Sequence, residues 1–140
     1  MRRLTRRVVL GGLKGKLSIE YAYALLYGGK WKEALTAASD ALVFASDKAK
    51  PAVYVPMCAA YFGLGEKELF TTFYPRAESY LQSPKKPTQF VTVCLAALTA
   101  MRLALQGNNS GAVSELNRVD EAHLPPVLQT VVKKLKDYIH

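Results

Sequence analysis

Three glycines recur at corresponding places along the chain and constrain its fold more than any other feature. Each of Gly29, Gly65 and Gly107 follows an apolar stretch with helical spacing and precedes a second such stretch. The first two are 36 residues apart and the last two are 42 residues apart. A helix–glycine–helix unit of roughly this period indicates an α-helical repeat array. We therefore expect an all-α chain built from helical hairpins, of a kind that binds or braces other molecules.

Length and apolar content favour a single folded domain. The chain has 140 residues, of which 50% are hydrophobic, so it can bury a substantial core. No stretch approaches the roughly 18–20 uncharged apolar residues that span a bilayer, so we expect no transmembrane segment. We assign residues 18–140 to the helical domain and residues 1–17 to a basic N-terminal arm.

The arm carries most of the positive charge of the chain. The formal net charge is +8, and removing the six basic residues of the arm leaves 13 basic against 11 acidic residues, or +2. An acid-free segment rich in arginine is typical of mitochondrial targeting, and it could also stay attached and contact phosphate, an acidic partner, RNA or anionic lipid. A disordered basic tail is the alternative, and a cytoplasmic location is the alternative to a mitochondrial one. The residues predicted to make these contacts are Arg2, Arg3, Arg6, Arg7, Lys14 and Lys16.

Apolar periodicity, caps and prolines predict seven helices and no sheet. Pro51 can open the third helix, whereas Pro56 either kinks that helix or marks its true start. Pro75 is expected to bend the fourth, and the last helix, with one polar face, is expected to shield the open end of the array. The predicted helices cover about residues 18–27, 31–45, 51–62, 66–81, 88–105, 111–119 and 125–138.

The small residues around the glycines resemble the tetratricopeptide repeat family. In the first unit the matching positions are Ala22, Gly29, Trp31, Ala34 and Ala41. In the second they are Cys58, Gly65 and Ala77, with Phe70 where the family has a small residue. In the third they are Ala100, Gly107 and Ala112, with Val119 in place of the later alanine.

The resemblance implies a right-handed array of antiparallel helical hairpins, about three of them, followed by a C-terminal capping helix. It also implies that the first helix of each hairpin lines a concave surface. We therefore expect the tyrosines of these helices to contact a partner, through Tyr23 and Tyr27 on one helix and Tyr54 and Tyr61 on another. Packing between the helices is the alternative role for these rings.

The sequence shows no catalytic constellation, so we expect no enzymatic activity, no cofactor and no metal. Metal-ligand spacings and phosphate-binding loops are missing, and the two histidines, His123 and His140, are expected to be solvated or to cap helices. Cys58 and Cys94 lie in apolar helical patterns and are expected to be buried, reduced thiols.

These observations favour a non-catalytic interaction or scaffold protein that serves as a subunit of a larger mitochondrial assembly. A respiratory-chain or ATP synthase accessory subunit and a mitochondrial ribosomal protein both fit. A small tetratricopeptide chaperone or adaptor that cradles a client peptide or helix is one alternative. A pentatricopeptide-like RNA-binding protein is another, since that related family has a similar period and hairpin.

Overall fold

A computed structural model describes residues 19–119 and 126–139 of the chain. This part of the chain is helical and contains no strand, which confirms the predicted all-α class. The arm, Ser18, residues 120–125 with His123, and His140 lie outside the described residues. The helices are α1 over residues 19–27, α2 Trp31–Phe44, α3 Lys50–Leu64, α4 Lys67–Gln82, α5 Gln89–Leu105, α6 Asn109–Asn117 and α7 Pro126–Ile139.

The three regularly spaced glycines make the same turn three times. Gly29, Gly65 and Gly107 have φ of +74°, +75° and +84°, a left-handed conformation that glycine adopts without a steric penalty. At each site the N–H after the glycine donates to the carbonyl five residues earlier, over 2.9, 2.9 and 2.8 Å. The glycine N–H itself donates three residues back, over 3.0, 3.1 and 3.0 Å. This double hydrogen bond satisfies the last carbonyls of α1, α3 and α5 and starts the return of the chain.

Helices α3 and α4 run antiparallel, as the contacts at their two ends show. Phe62 and Phe70, which flank the Gly65 turn, have ring centroids 6.3 Å apart. Tyr54 and Arg76, far from that turn on both helices, also touch, since the Arg76 Nη1 donates to the Tyr54 hydroxyl over 3.2 Å. The small residues of the repeat pattern are fully buried between the helices: Ala22, Ala34, Ala41, Cys58, Ala77, Ala100 and Ala112.

The start of the third helix agrees with one of the two predicted alternatives, whereas the start of the sixth differs from the prediction. The third helix begins at Lys50 with Pro51 in its first turn, so Pro56 lies inside the helix and does not mark its start. The sixth helix begins at Asn109, two residues before the predicted start. There the side chain of Asn108 accepts a hydrogen bond from the Gly111 N–H over 2.9 Å and caps the helix.

Phe70, which stands where the repeat pattern has a small residue, is the largest fully buried side chain among the described residues. Its ring lies edge-on to Phe62, at 63° between ring planes, and is stacked on Tyr74 at a centroid distance of 5.7 Å. Helices α3 and α4 therefore accommodate this large ring within an aromatic cluster.

The last helix has a different place from the cap expected at the open end of the array. Within the described residues it packs mainly on α5 and α3, and the ring of Tyr138 contacts that of Phe62 at 5.7 Å. Near its other end, the Thr130 hydroxyl donates to the backbone carbonyl of Tyr27. Its buried face consists of Leu128, Val131, Val132 and Leu135. The helix thus covers part of α3 and α5, two of the helices that the resemblance had assigned to an open concave surface.

Candidate interaction surface

Two of the four tyrosines predicted to contact a partner are brought together by a phenylalanine. The ring of Phe73 on α4 is stacked against Tyr54 and against Tyr61 on α3, with centroids 5.8 Å apart in both cases. Tyr61 is only 9% exposed, and burial, followed by the neighbouring Cys58 and Glu66, raises its pKa. Tyr54 remains partly exposed. Of this pair, Tyr54 is therefore the ring that a partner can reach.

Tyr23 lies in a different contact, between α1 and α5. Its ring meets the edge of Phe90 at 5.9 Å, with 73° between the ring planes. Burial is the main cause that raises the pKa of its hydroxyl, with smaller contributions from Cys94 and Tyr80. This side chain is engaged in packing between helices, which was the alternative role considered for the tyrosines.

Tyr27 is 51% exposed, one turn after Tyr23 on the same helix. Its backbone carbonyl accepts the Thr130 hydrogen bond, so its end of α1 lies beside α7. Among the described residues, no ring contact joins Tyr23 or Tyr27 to the rings of Tyr54, Phe73 and Tyr61. A partner contact at Tyr27 stays a prediction.

Arg76, on α4, lies over the rings of Tyr54 and Phe73. It was not identified as a site residue from the sequence. Its guanidinium carbon lies 5.3 Å from the centroid of Tyr54 and 5.6 Å from that of Phe73. A guanidinium held over two rings is attracted by their π-electrons, and its planar shape is pre-organised for binding carboxylate or phosphate. The sequence feature that could have identified Arg76 is its spacing of three residues from Phe73, which places both side chains on one face of a helix. We call Tyr54, Phe73 and Arg76 the aromatic–arginine cluster.

A cleft of about 640 Å³ adjoins this cluster, between the first half of α3 and the second half of α4. Its lining combines ring side chains, two basic residues and two serines, and it includes no carboxylate. We call it the α3–α4 cleft; it is lined by Lys48, Pro51, Tyr54, Pro75, Arg76, Ser79, Tyr80 and Ser83.

A second cleft, of about 390 Å³ between α4, α5 and α6, has a mixed charge and an internal hydrogen-bond network. Close to it the Tyr74 hydroxyl donates to Glu78 over 2.5 Å and lies 3.3 Å from the Thr99 hydroxyl. Burial and the Glu78 carboxylate raise the pKa of Tyr74. Arg102 lies over the Tyr74 ring at 5.4 Å, and its buried Nε has no partner among the described residues. Because Glu78 and Glu115 here lie alongside Arg102 and Arg118, this cleft has no net charge with which to select a ligand.

Both cysteines are buried and unpaired, as the sequence predicted. Burial raises the pKa of Cys58 and of Cys94 to about 12, so the folded protein holds both thiols protonated at neutral pH. Their ordinary pKa is 9.0, so the unfolded chain loses these protons first. Their contribution to stability is therefore complete below about pH 9 and is lost as the pH rises through about 12.

We expect native protein at about pH 8 to react with dithiobis(nitrobenzoate) at least about 100-fold more slowly than protein unfolded in guanidinium, because the thiolate is the reactive form. Absorbance of the released thionitrobenzoate measures the rate. The unfolded sample is the control and should release two equivalents, one for each cysteine. A thiol in the native protein that reacts as fast as in the unfolded sample would contradict the buried placement.

Within residues 19–119 and 126–139, no group of three or more histidine, cysteine or acidic side chains is arranged to hold a metal ion. In the same part of the chain no helix combines the length and apolar character needed to cross a membrane. Comparison with protein families, with curated proteins and with solved structures finds no match to this chain.

Proposed function

We propose that this protein is a non-catalytic interaction or scaffold subunit, and that the aromatic–arginine cluster with the adjoining α3–α4 cleft is its partner-binding face. The observation that carries the proposal is Arg76 held over Tyr54 and Phe73 at the edge of a cleft. Tyrosine and arginine, together with tryptophan, are enriched among the residues that dominate binding energy at protein interfaces. A guanidinium already fixed on aromatic rings loses little conformational freedom when it binds.

The placement of α7 favours this face over the inner face of the hairpins. A client-binding chaperone of the tetratricopeptide type would hold its client against the first helices of its hairpins. Here α7 packs on α3 and α5, and the inner face of this chain already carries an amphipathic helix of its own. The three repeated glycine turns and the buried small residues support a tetratricopeptide-like arrangement for the hairpins themselves.

The composition of the basic arm supports a mitochondrial setting, in which the subunit belongs to a respiratory-chain, ATP synthase or ribosomal assembly. In that setting the arm and the α3–α4 face have separate roles. The arm supplies long-range electrostatic attraction to phosphate or an acidic surface, and the rings supply the short-range contact area.

The proposal is tested by affinity purification of the tagged full-length chain from its own cells, followed by quantitative mass spectrometry. We expect the double variant Tyr54→Ala/Arg76→Ala to recover its specific partners about 10-fold less than the unchanged protein, since each tenfold loss corresponds to about 1.4 kcal/mol. The matched control is Tyr21→Ala, which removes a tyrosine that is 60% exposed on α1. Circular dichroism verifies that both variants are folded. Equal recovery of all partners by the double variant would refute this face as the site.

A further inference from the structure

The α3–α4 cleft carries unneutralised positive charge. Lys48 and Arg76 line it, and no carboxylate belongs to the lining. In the described part of the chain, neither of these two residues forms an ion pair. Asp47, next to Lys48 in the sequence, pairs instead with Lys50 over 3.2 Å. The cleft is therefore complementary to a negatively charged group.

The nearest carboxylate on α4 is engaged elsewhere. Glu78 follows Arg76 by two positions, so it lies on a different face of the helix. Its side chain accepts the hydrogen bond from Tyr74 and lines the other cleft, between α4, α5 and α6. The positive charge of Arg76 is thus offset by no acidic side chain of its own helix.

The apolar part of the lining is made of rings. Pro51 and Tyr54 come from α3, and Pro75 and Tyr80 come from α4, so two ring-bearing walls face one another across the cleft. Tyr80 is 37% exposed. Grooves walled by aromatic residues bind extended proline-containing segments, whose backbone is already stiff and loses little entropy on binding.

The serines add hydrogen-bonding groups beside these rings. The Ser83 hydroxyl donates to the backbone carbonyl of Tyr80 over 2.7 Å, which leaves its oxygen lone pairs as acceptors. Ser79 is exposed, one turn earlier on α4. An extended backbone has N–H and C=O groups that need such partners, because it makes no hydrogen bonds within itself.

We propose that the α3–α4 cleft binds a short, extended segment of the partner protein that carries glutamate or aspartate together with proline. This inference rests on the proposed function and names the chemistry of the partner. The acidic side chains pair with Arg76 and Lys48, and the prolines pack between the rings of the two walls. A volume of about 640 Å³ holds only a few residues, so binding is weak and reversible. Nucleic acid fits this cleft less well, because its affinity depends on many phosphate contacts and only two cations are present.

The test uses fluorescence anisotropy with the full-length chain and a labelled peptide of alternating glutamate and proline. We expect saturable binding that weakens about 5- to 10-fold in Arg76→Ala and about 2- to 5-fold in Lys48→Ala. Lys32→Ala is the control, because it removes an exposed lysine of α2 that is not part of the cleft. The basic arm is the same in every variant, so its non-specific attraction cancels in these comparisons. Binding should also weaken as NaCl is raised from about 0.05 M to about 0.3 M, as screening requires.

Two variant peptides distinguish the contribution of charge to the affinity from the contribution of contacts with the rings. Replacing glutamate by lysine should abolish binding, and replacing proline by alanine should weaken it about 3- to 10-fold. The inference is overturned if the lysine peptide binds as tightly as the glutamate peptide. It is also overturned if Lys32→Ala and Arg76→Ala lose the same affinity, or if a single-stranded oligouridine binds through Arg76 more tightly than the acidic peptide.

Failure of this inference can be told apart from failure of the proposed function. If Tyr54→Ala/Arg76→Ala loses its cellular partners but the acidic peptide does not bind the unchanged protein, the interaction face stands and the acidic segment is wrong. If the peptide binds as expected but the double variant keeps all its partners, the cleft binds acidic peptides and the proposed interaction face is wrong.

Discussion

Replacing Phe70 with alanine is expected to lower the free energy of unfolding by about 3–5 kcal/mol. The side chain is fully buried and contacts the rings of Phe62 and Tyr74, so truncation removes apolar contact and leaves a cavity among aromatic neighbours. A loss of this size is a large share of the roughly 5–15 kcal/mol that stabilises an ordinary domain. Urea titration followed by far-ultraviolet circular dichroism measures it.

The neighbouring residue provides the matched control. Leu69 is 41% exposed on the same turn of α4, so Leu69→Ala should cost less than about 1 kcal/mol. If Phe70→Ala does not fold, Phe70→Leu retains most of the buried volume and should give a measurable intermediate loss. A loss at Phe70 no greater than that at Leu69 would show that the second hairpin does not pack around this ring.

The turns were predictable from the sequence because their chemistry is local. A left-handed residue after a helix is strongly disfavoured for any residue with a side chain, so glycine at Gly29, Gly65 and Gly107 indicates where three helices end. The helices themselves follow from apolar spacing and from caps. The predicted start of α6 at Gly111 was two residues late, because the side chain of Asn108 caps the helix and α6 begins at Asn109.

The position of α7 could not be read from its own sequence. Its apolar stripe shows that Leu128, Val131 and Leu135 must be buried, but an apolar stripe fits any apolar surface. The apolar stripe of α7 could have packed on α6 at the end of the chain of helices or on α3 and α5, where it is found. Which of these surfaces it contacts depends on the packing of all the helices together. For the same reason the tyrosines could be assigned to helix faces but not sorted into core and surface.

Of the three residues in the proposed binding face, one was selected from the sequence. Tyr54 was selected because tyrosine is common at interfaces, and it lies in the cluster that we propose as the site. Phe73 and Arg76 were missed because their importance arises from contacts between α3 and α4, in which Phe73 lies 19 positions and Arg76 lies 22 positions after Tyr54. Pairing of particular side chains across two helices depends on their register, which composition and periodicity do not specify.

Replacing Gly63 with alanine is expected to destabilise the protein by about 1–3 kcal/mol, although the same change inside most helices is stabilising. Gly63 lies in α3, and a Cβ there would come within 2.2 Å of the Trp31 Cδ2 atom and 2.6 Å of its Cγ. These atoms belong to the body of the indole ring, so the whole ring of Trp31 must move. The ring also joins the start of α2 to the end of α3, so its movement disturbs the contact between these two helices. Thermal and urea unfolding of Gly63→Ala measure the loss.

A second substitution separates this clash from the intrinsic preference of the helix. In a Trp31→Ala background the clash is gone, and Gly63→Ala should become neutral or stabilising by up to about 1 kcal/mol, because alanine has the higher helix propensity. Gly28→Ala is the control, since a Cβ at that turn position meets no atom closer than 3.7 Å. Equal destabilisation by Gly63→Ala with and without the indole ring would mean that Trp31 does not lie against α3. The interaction energy between the two sites therefore measures how closely α2 and α3 approach at this point, and any repeat-like arrangement of this chain would depend on that contact.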